Sequence, residues 1–402
     1  MKPIRQCLTL IVLIAVATAA SAQGVKTTTS AQSVSRATFN ALQDVQEMMD
    51  AEQYDQALAR LEALVIETED NAYDFALTNQ YVAHISVLID NPARARTALQ
   101  AALSKDGLPP ELRGDMNLFY GTILIGDEEY ELARVALEEW FALAQLPTPT
   151  QIFSLAYANY QSGNLPRSEE LVARSIGEST EPQDSWYQLY YRVLFEQKKY
   201  DHAESVLLGL IERDPVNPLY WRMMASHHFE LEDSNDGLAA LMIAYSNELL
   251  EAETDLRQIV SLWGYIDAPE KGARMLEGWL EDGRLETDAE TLKQLGNLWL
   301  LARERDNATA VLSRAASMEP DGSTYQTLGG IYFEEEEWAL AYDAYRSALS
   351  QGELDEPSMV QLLAGISAFR AGNEDDARRA LEAAAEDDEL RAQAESVLRQ
   401  MR

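Results

Sequence analysis

The four histidines are the first place to look for chemistry in this chain: His84, His202, His227 and His228. None stands in an HExxH or comparable ligand spacing, so a zinc site would have to be assembled from scattered residues. His227 and His228 are adjacent, and adjacent positions on a helix face different directions. That argues against joint ligation of one ion; one packed ring and one solvated ring account for the pair. The acidic runs Glu334 to Glu337 and Glu386 to Glu389 lack the Asp-x-Asp-x-Asp-Gly order of a calcium loop and read as solvated faces. Phosphate-cradling GxxxxGK, dinucleotide-type GxGxxG and nucleophile-elbow GxSxG motifs are all missing from the sequence. The residues therefore predict no catalytic group, no cofactor and no metal site. The reading is of a chain that binds and is not an enzyme.

What such a chain presents to a partner depends on its elements, and these announce themselves by periodicity. Ala57, Ala95, Ala133, Ser168, Ala203, Gly237, Gly272, Ala308, Ala341 and Ala377 are separated by 38, 38, 35, 35, 34, 35, 36, 33 and 36 residues. Four residues after each comes a large apolar or aromatic side chain: Leu61, Leu99, Leu137, Val172, Leu207, Leu241, Leu276, Leu312, Tyr345 and Leu381. Small then large at i, i+4 marks one helix face, and a period near 34 marks helix-turn-helix units. Twelve residues earlier the chain is often small again, at Ala83, Gly121, Ala156, Ala225, Gly296, Gly329 and Gly365. These positions are expected on a first helix, A, facing the small residue of the second, B, where a bulky side chain would force the pair apart.

At these positions the chain resembles tetratricopeptide repeats. Trp221, Leu295-Gly296 and Leu328-Gly329 stand where that family has its helix A signature, Tyr54, Tyr130, Tyr200 and Trp338 where an aromatic introduces helix B, and Pro215 and Pro320 where a proline follows it. The unit from Ile259 to Trp279 departs, with Pro269 in place of the aromatic; proline is tolerated at the first position of a helix, so it is kept as a repeat with a remodelled turn. The resemblance implies an all-α, right-handed superhelical solenoid of about ten helix-turn-helix units with a C-terminal capping helix. Within it, residues 37–182 read as divergent N-terminal units and 183–387 as more regular ones. Residues 388–402, with Leu390, Ala394 and Leu398 on one face, read as the solubilising cap.

The family's ligand groove is lined by helix A, at 15, 11 and 8 residues before the small helix B residue. Carried onto this chain, the fourth unit offers Phe153, Tyr157 and Tyr160, an aromatic stripe suited to peptide capture. The following units offer Gln188, Arg192 and Phe195, then Arg222 and Phe229, then Arg257, then Lys293. A row of cations in an acidic chain suits a clamp for a carboxylate or an acidic peptide. Two alternatives stand beside these readings: the aromatics fill the core between repeats, and each Arg pairs with an acid of its own array.

Charge and the N-terminus set the compartment. The chain has 32 Lys plus Arg against 67 Asp plus Glu, a net charge of −35. Such a surface repels nucleic acid and anionic lipid. Lys2 and Arg5, the apolar run Leu8 to Ala19 and the Ala20-Ser21-Ala22 box have the order of a secretory signal peptide cleaved after Ala22, with residues 23–36 a polar, flexible leader. The apolar run is too short to span a bilayer comfortably, and the one cysteine, Cys7, lies within the signal. The expected product is periplasmic, free of disulfides and not stably inserted in a membrane.

Segments of the second half, such as Asp214 to Trp221, Ser261 to Glu286, Asn297 to Ala316 and Leu328 to Leu349, are similar to the periplasmic tetratricopeptide proteins associated with TonB, ExbB and ExbD. That resemblance covers residues 185 to 385 or so. It implies a non-catalytic adaptor that is an accessory component of a TonB-dependent outer-membrane transport system, with TonB, ExbB or ExbD components as partners. The alternative is an adaptor of another envelope assembly, serving polysaccharide export, outer-membrane biogenesis or a pilus.

Overall fold

The computed structural model describes residues 34–401, so the signal and most of the leader lie outside the described residues. Among the described residues every regular element is a helix, and twenty of the 21 helices pair as hairpins. The first five hairpins are α1 (Arg36–Asp50) with α2 (Tyr54–Glu67), α3 (Ala72–Leu88) with α4 (Pro92–Leu103), α5 (Pro110–Gly126) with α6 (Tyr130–Leu143), α7 (Pro149–Gln161) with α8 (Leu165–Glu178), and α9 (Asp184–Glu196) with α10 (Tyr200–Arg213). Then come α11 (Pro218–Glu230) with α12 (Ser234–Ser246), α13 (Glu253–Tyr265) with α14 (Pro269–Glu281), α15 (Ala289–Leu301) with α16 (Arg305–Met318), α17 (Gly322–Glu334) with α18 (Trp338–Gln351), and α19 (Pro357–Arg370) with α20 (Glu374–Ala384). A single helix, α21 (Arg391–Gln400), follows. The chain forms two compact units that divide between Leu210 and Ile211, inside α10. This division is one of contacts, whereas the sequence boundary at 182/183 marks a change in repeat regularity.

The small-then-large stripe is the core of each hairpin. All ten small residues are buried, and the ten large residues four positions on are at most 2% exposed. Tyr54, Tyr130, Tyr200 and Trp338 each open their B helix, and Pro269 opens α14 at the position where its missing N–H costs no hydrogen bond.

The contact between paired helices differs from the expected one. The helix A glycines do not chiefly face the small residue of helix B; they face the large one. A methyl group added at Gly296 would lie 2.5 Å from Leu312 Cγ, and Gly121, Gly329 and Gly365 stand in the same relation to Leu137, Tyr345 and Leu381. The small residue meets backbone instead, as where Ser168 Oγ donates to the Ala156 carbonyl at 2.9 Å. Both positions are small because the helices touch along a full turn, backbone on one side and a leucine or tyrosine on the other. Gly237 and Gly272 solve a different problem. A methyl at Gly237 would collide with the Phe229 ring, and one at Gly272 would lie 2.8 Å from Trp263 Cβ, so glycine on helix B admits an aromatic from the last turn of its own helix A.

Every hairpin turn has one residue in the left-handed conformation, always five positions before the small residue: Glu52, Asp90, Glu128, Gly163, Lys198, Glu232, Asp267, Arg303, Glu336 and Gly372. The helix A ends close with paired backbone bonds, such as Gln53 N to Met48 O at 2.8 Å and Glu52 N to Met49 O at 2.9 Å, the Schellman arrangement that satisfies the last carbonyls. At the C-terminus, Leu390, Ala394 and Leu398 pack against Leu362, Leu381 and Ala384, so α21 covers the last hairpin as the amphipathic pattern requires.

Candidate functional site

The helix A residues singled out by sequence fall in both compact units. In the first unit, Phe153, Tyr157 and Tyr160 lie along α7, three or four residues apart, and all are half-buried against the core. Phe153 stacks on Trp186 of α9 with ring centres 5.2 Å apart. Tyr157 meets Tyr130 edge-on at 5.9 Å, and its hydroxyl oxygen accepts a hydrogen bond from Gln161 Nε2 at 2.8 Å. The Tyr160 hydroxyl donates to Glu196 Oε1 at 2.6 Å. Burial, then the Glu196 carboxylate, pushes the Tyr160 phenol above its ordinary pKa, with Arg192 acting in the opposite direction. The stripe is thus both core and surface, each of the three residues being half-buried. On α9, Gln188 is half-buried and Arg192 is exposed, while the Phe195 ring rests edge-on against Tyr200 at 5.2 Å, across the hairpin turn.

In the second unit the cations reach forward to the start of the following helix A. Arg222 on α11 grips Asp255 of α13 with two parallel bonds, Nε to Oδ1 at 2.9 Å and Nη2 to Oδ2 at 2.8 Å. Asp255 is 6% exposed, so this guanidinium neutralises a buried carboxylate. Arg257 on α13 bonds Glu253 one turn back at 2.7 Å and donates from Nη2 to Thr291 Oγ1 of α15 at 3.0 Å. Lys293 on α15 sits 2.8 Å from Oδ2 of Asp321, the N-cap of α17. Burial acts to raise the Asp321 pKa, but the bonds from Lys293, Ser323 and Thr324 outweigh it and hold the carboxyl below its usual range. Of the two expectations for the cation row, internal pairing is what Arg222, Arg257 and Lys293 adopt. Phe229 is seated over Gly237 in its own hairpin.

Between α13 and α15 lies an open cleft of about 540 Å³, lined by Arg257, Ser261, Gly264, Glu290, Lys293, Gln294, Asn297, Leu298 and Leu301. Arg257, Ser261 and Gly264 stand 15, 11 and 8 residues before Gly272, and Lys293 and Asn297 stand 15 and 11 before Ala308. The positions inferred for ligand contact thus converge on one depression in two successive repeats. Gln294 Nε2 donates to Ser261 Oγ at 3.3 Å, Asn297 is exposed, and Leu301 is 63% exposed at the rim. Gly264 keeps the wall low, since a methyl there would lie 3.1 Å from Leu298 Cδ2. Sequence reading reached Arg257 and Lys293 but passed over Ser261, Asn297 and Leu301. The same offset arithmetic points to the first two, and nothing in their residue types draws attention to them.

No protein-family model matches this chain, and no curated protein matches it in sequence. Solved structures do. A crystal structure of MamA protein is 19% identical over 43% of this chain and 92% of its own, with a TM-score of 0.36. YrrB, described as a TPR protein with an unusual peptide-binding site, is 16% identical over 45% of this chain and 91% of its own, TM-score 0.36. MamA 41-end from Desulfovibrio magneticus RS-1 is 16% identical over 41% of this chain and 92% of its own, TM-score 0.34.

Proposed function

We propose that this chain is a non-catalytic scaffold that binds an extended segment of another protein along its helix A faces. The cleft between α13 and α15 carries the reading. An extended segment leaves its backbone N–H and C=O groups without partners, and the exposed Asn297 amide offers both a donor and an acceptor to meet them. Leu298 and the rim Leu301 offer an apolar seat for one side chain. Arg257 and Lys293 flank the seat with charges already oriented by Thr291 and Asp321. An open depression of this kind suits a peptide that spreads its contacts over several repeats, with few strong anchors.

The signal-like N-terminus supports a periplasmic location, and among the described residues no helix is long and apolar enough to cross a membrane. The similarity of the second-half segments to TonB-associated proteins supports a role as an accessory component of TonB-dependent outer-membrane transport. Crosslinking in cells followed by purification of the chain tests both statements. Wild type is expected to recover a TonB, ExbB or ExbD subunit, and the cleft-filling variants Ser261→Trp and Asn297→Arg at least about fivefold less. Equal recovery by the variants would remove the cleft from the account. Recovery of other envelope proteins in place of TonB-complex subunits would remove the transport role.

A further inference from the structure

The turn joining α11 to α12 brings together three side chains from two elements, outside the cleft just described. His228 lies in the last turn of α11, Asp233 is the N-cap of α12 and Asp236 lies in its first turn. One ligand atom from each lies within 4.8 Å of the other two. His228 is half-buried and both carboxylates are exposed, so the group can be reached from solvent. The sequence shows no ligand motif here, because the spacing His-x4-Asp-x2-Asp acquires its meaning only when the helix reverses direction between the first and second residues.

We infer that His228, Asp233 and Asp236 form a binding site for a divalent transition ion of the zinc class. One imidazole and two carboxylates match the nitrogen and oxygen donors zinc accepts, and water completes a four-coordinate shell. Zinc–ligand bonds of about 2.0–2.2 Å require the donors to draw together to roughly 3.4 Å from one another. Rotation of two exposed aspartates supplies that movement without moving backbone. Two carboxylate charges exceed the partial positive charge of the α12 N-terminus beside them, so the helix end does not exclude a cation. Asp233 also accepts the Asp236 backbone N–H at 3.3 Å through Oδ1, which leaves Oδ2 for an ion. A bound ion would tie the C-terminus of α11 to the N-terminus of α12.

The test uses the full chain, stripped with a chelator and titrated with zinc chloride by calorimetry, with Co2+ as a spectroscopic stand-in. The expected result is one saturable equivalent at micromolar zinc and a Co2+ visible band of a four-coordinate N/O site. Each of Asp233→Asn, Asp236→Asn and His228→Gln should weaken binding at least about tenfold. Asp233→Asn retains a capping side chain, so its fold is preserved while a carboxylate is lost. Absence of saturable binding, equal binding by all three variants, or displacement of zinc by an equal concentration of Ca2+ would each overturn the site.

Discussion

Arg222, Arg257 and Lys293 occupy equivalent helix A positions in successive repeats, yet they do unequal things. Arg222 neutralises Asp255, and removing it would strand a carboxylate that is 6% exposed. Breaking a buried pair in this way costs stability, which makes Arg222 a structural residue and its charge reversal a poor probe of binding. Asp321 is more exposed than Asp255, and pairs in which both partners reach solvent are worth only about 0–1 kcal/mol, so a partner's acid can exchange with it. Asp321 gives this a measurable pH signature. Its folded-state pKa is held below the ordinary carboxylate value near 3.9, so the unfolded chain takes up a proton first as pH falls. The stabilisation is complete above about pH 4 and is lost as pH drops through the folded-state value. Asp321→Asn is therefore expected to lower the urea midpoint at neutral pH and to differ less from wild type at pH near 2. A gap that stays constant with pH would contradict this assignment.

Turns are where element-scale sequence reading was weakest. The small and large residues of helix B predicted the buried stripe position by position, since burial of ten equivalent sites leaves a regular trace. Whether a helix A glycine faces Ala308 or Leu312 was not legible, because both lie on the same stripe one turn apart and only their packed geometry separates them. The left-handed turn residue was hidden for another reason: eight of the ten positions carry a side chain, mostly Glu or Asp, and glycine marks only Gly163 and Gly372. An L-residue in that conformation costs about 1–2 kcal/mol, partly recovered through the greater chain entropy glycine loses on folding. Glu52→Gly, Glu128→Gly and Glu336→Gly should each stabilise the chain by about 0.5–1 kcal/mol, read from urea midpoints, while Gly163→Ala should destabilise it. Glutamate-to-glycine changes that lower stability would show that these side chains hold the turns by contacts that outweigh the backbone cost.

At the scale of the whole chain, repetition explains how the protein folds and why the proposed binding face lies on the A helices. Each hairpin buries its small-then-large stripe, and α21 covers the last one with Leu390, Ala394 and Leu398. Because the B helices carry the small-then-large stripe, the 15, 11 and 8 positions of helix A are left to vary from repeat to repeat. In the first unit they are aromatic, on α7; in the second they are polar and charged, around the α13–α15 cleft. On the proposed function, specificity resides in the residue types at these offsets, which is why no motif announces it. The residues of the proposed cleft could be reached from the sequence as a set of offsets, while the acids that pair with the cations, Asp255 and Asp321, lie 33 and 28 residues further on and emerge only when successive repeats stack. The most direct measurement places a photo-crosslinking amino acid singly at Ser261 and Asn297 on the helix A face, and at Arg274 and Glu281 on α14, the helix B paired with α13, in the cells that make the protein. The account predicts covalent adducts with one partner from Ser261 and Asn297 and none from Arg274 and Glu281. Adducts confined to the helix B positions would contradict it.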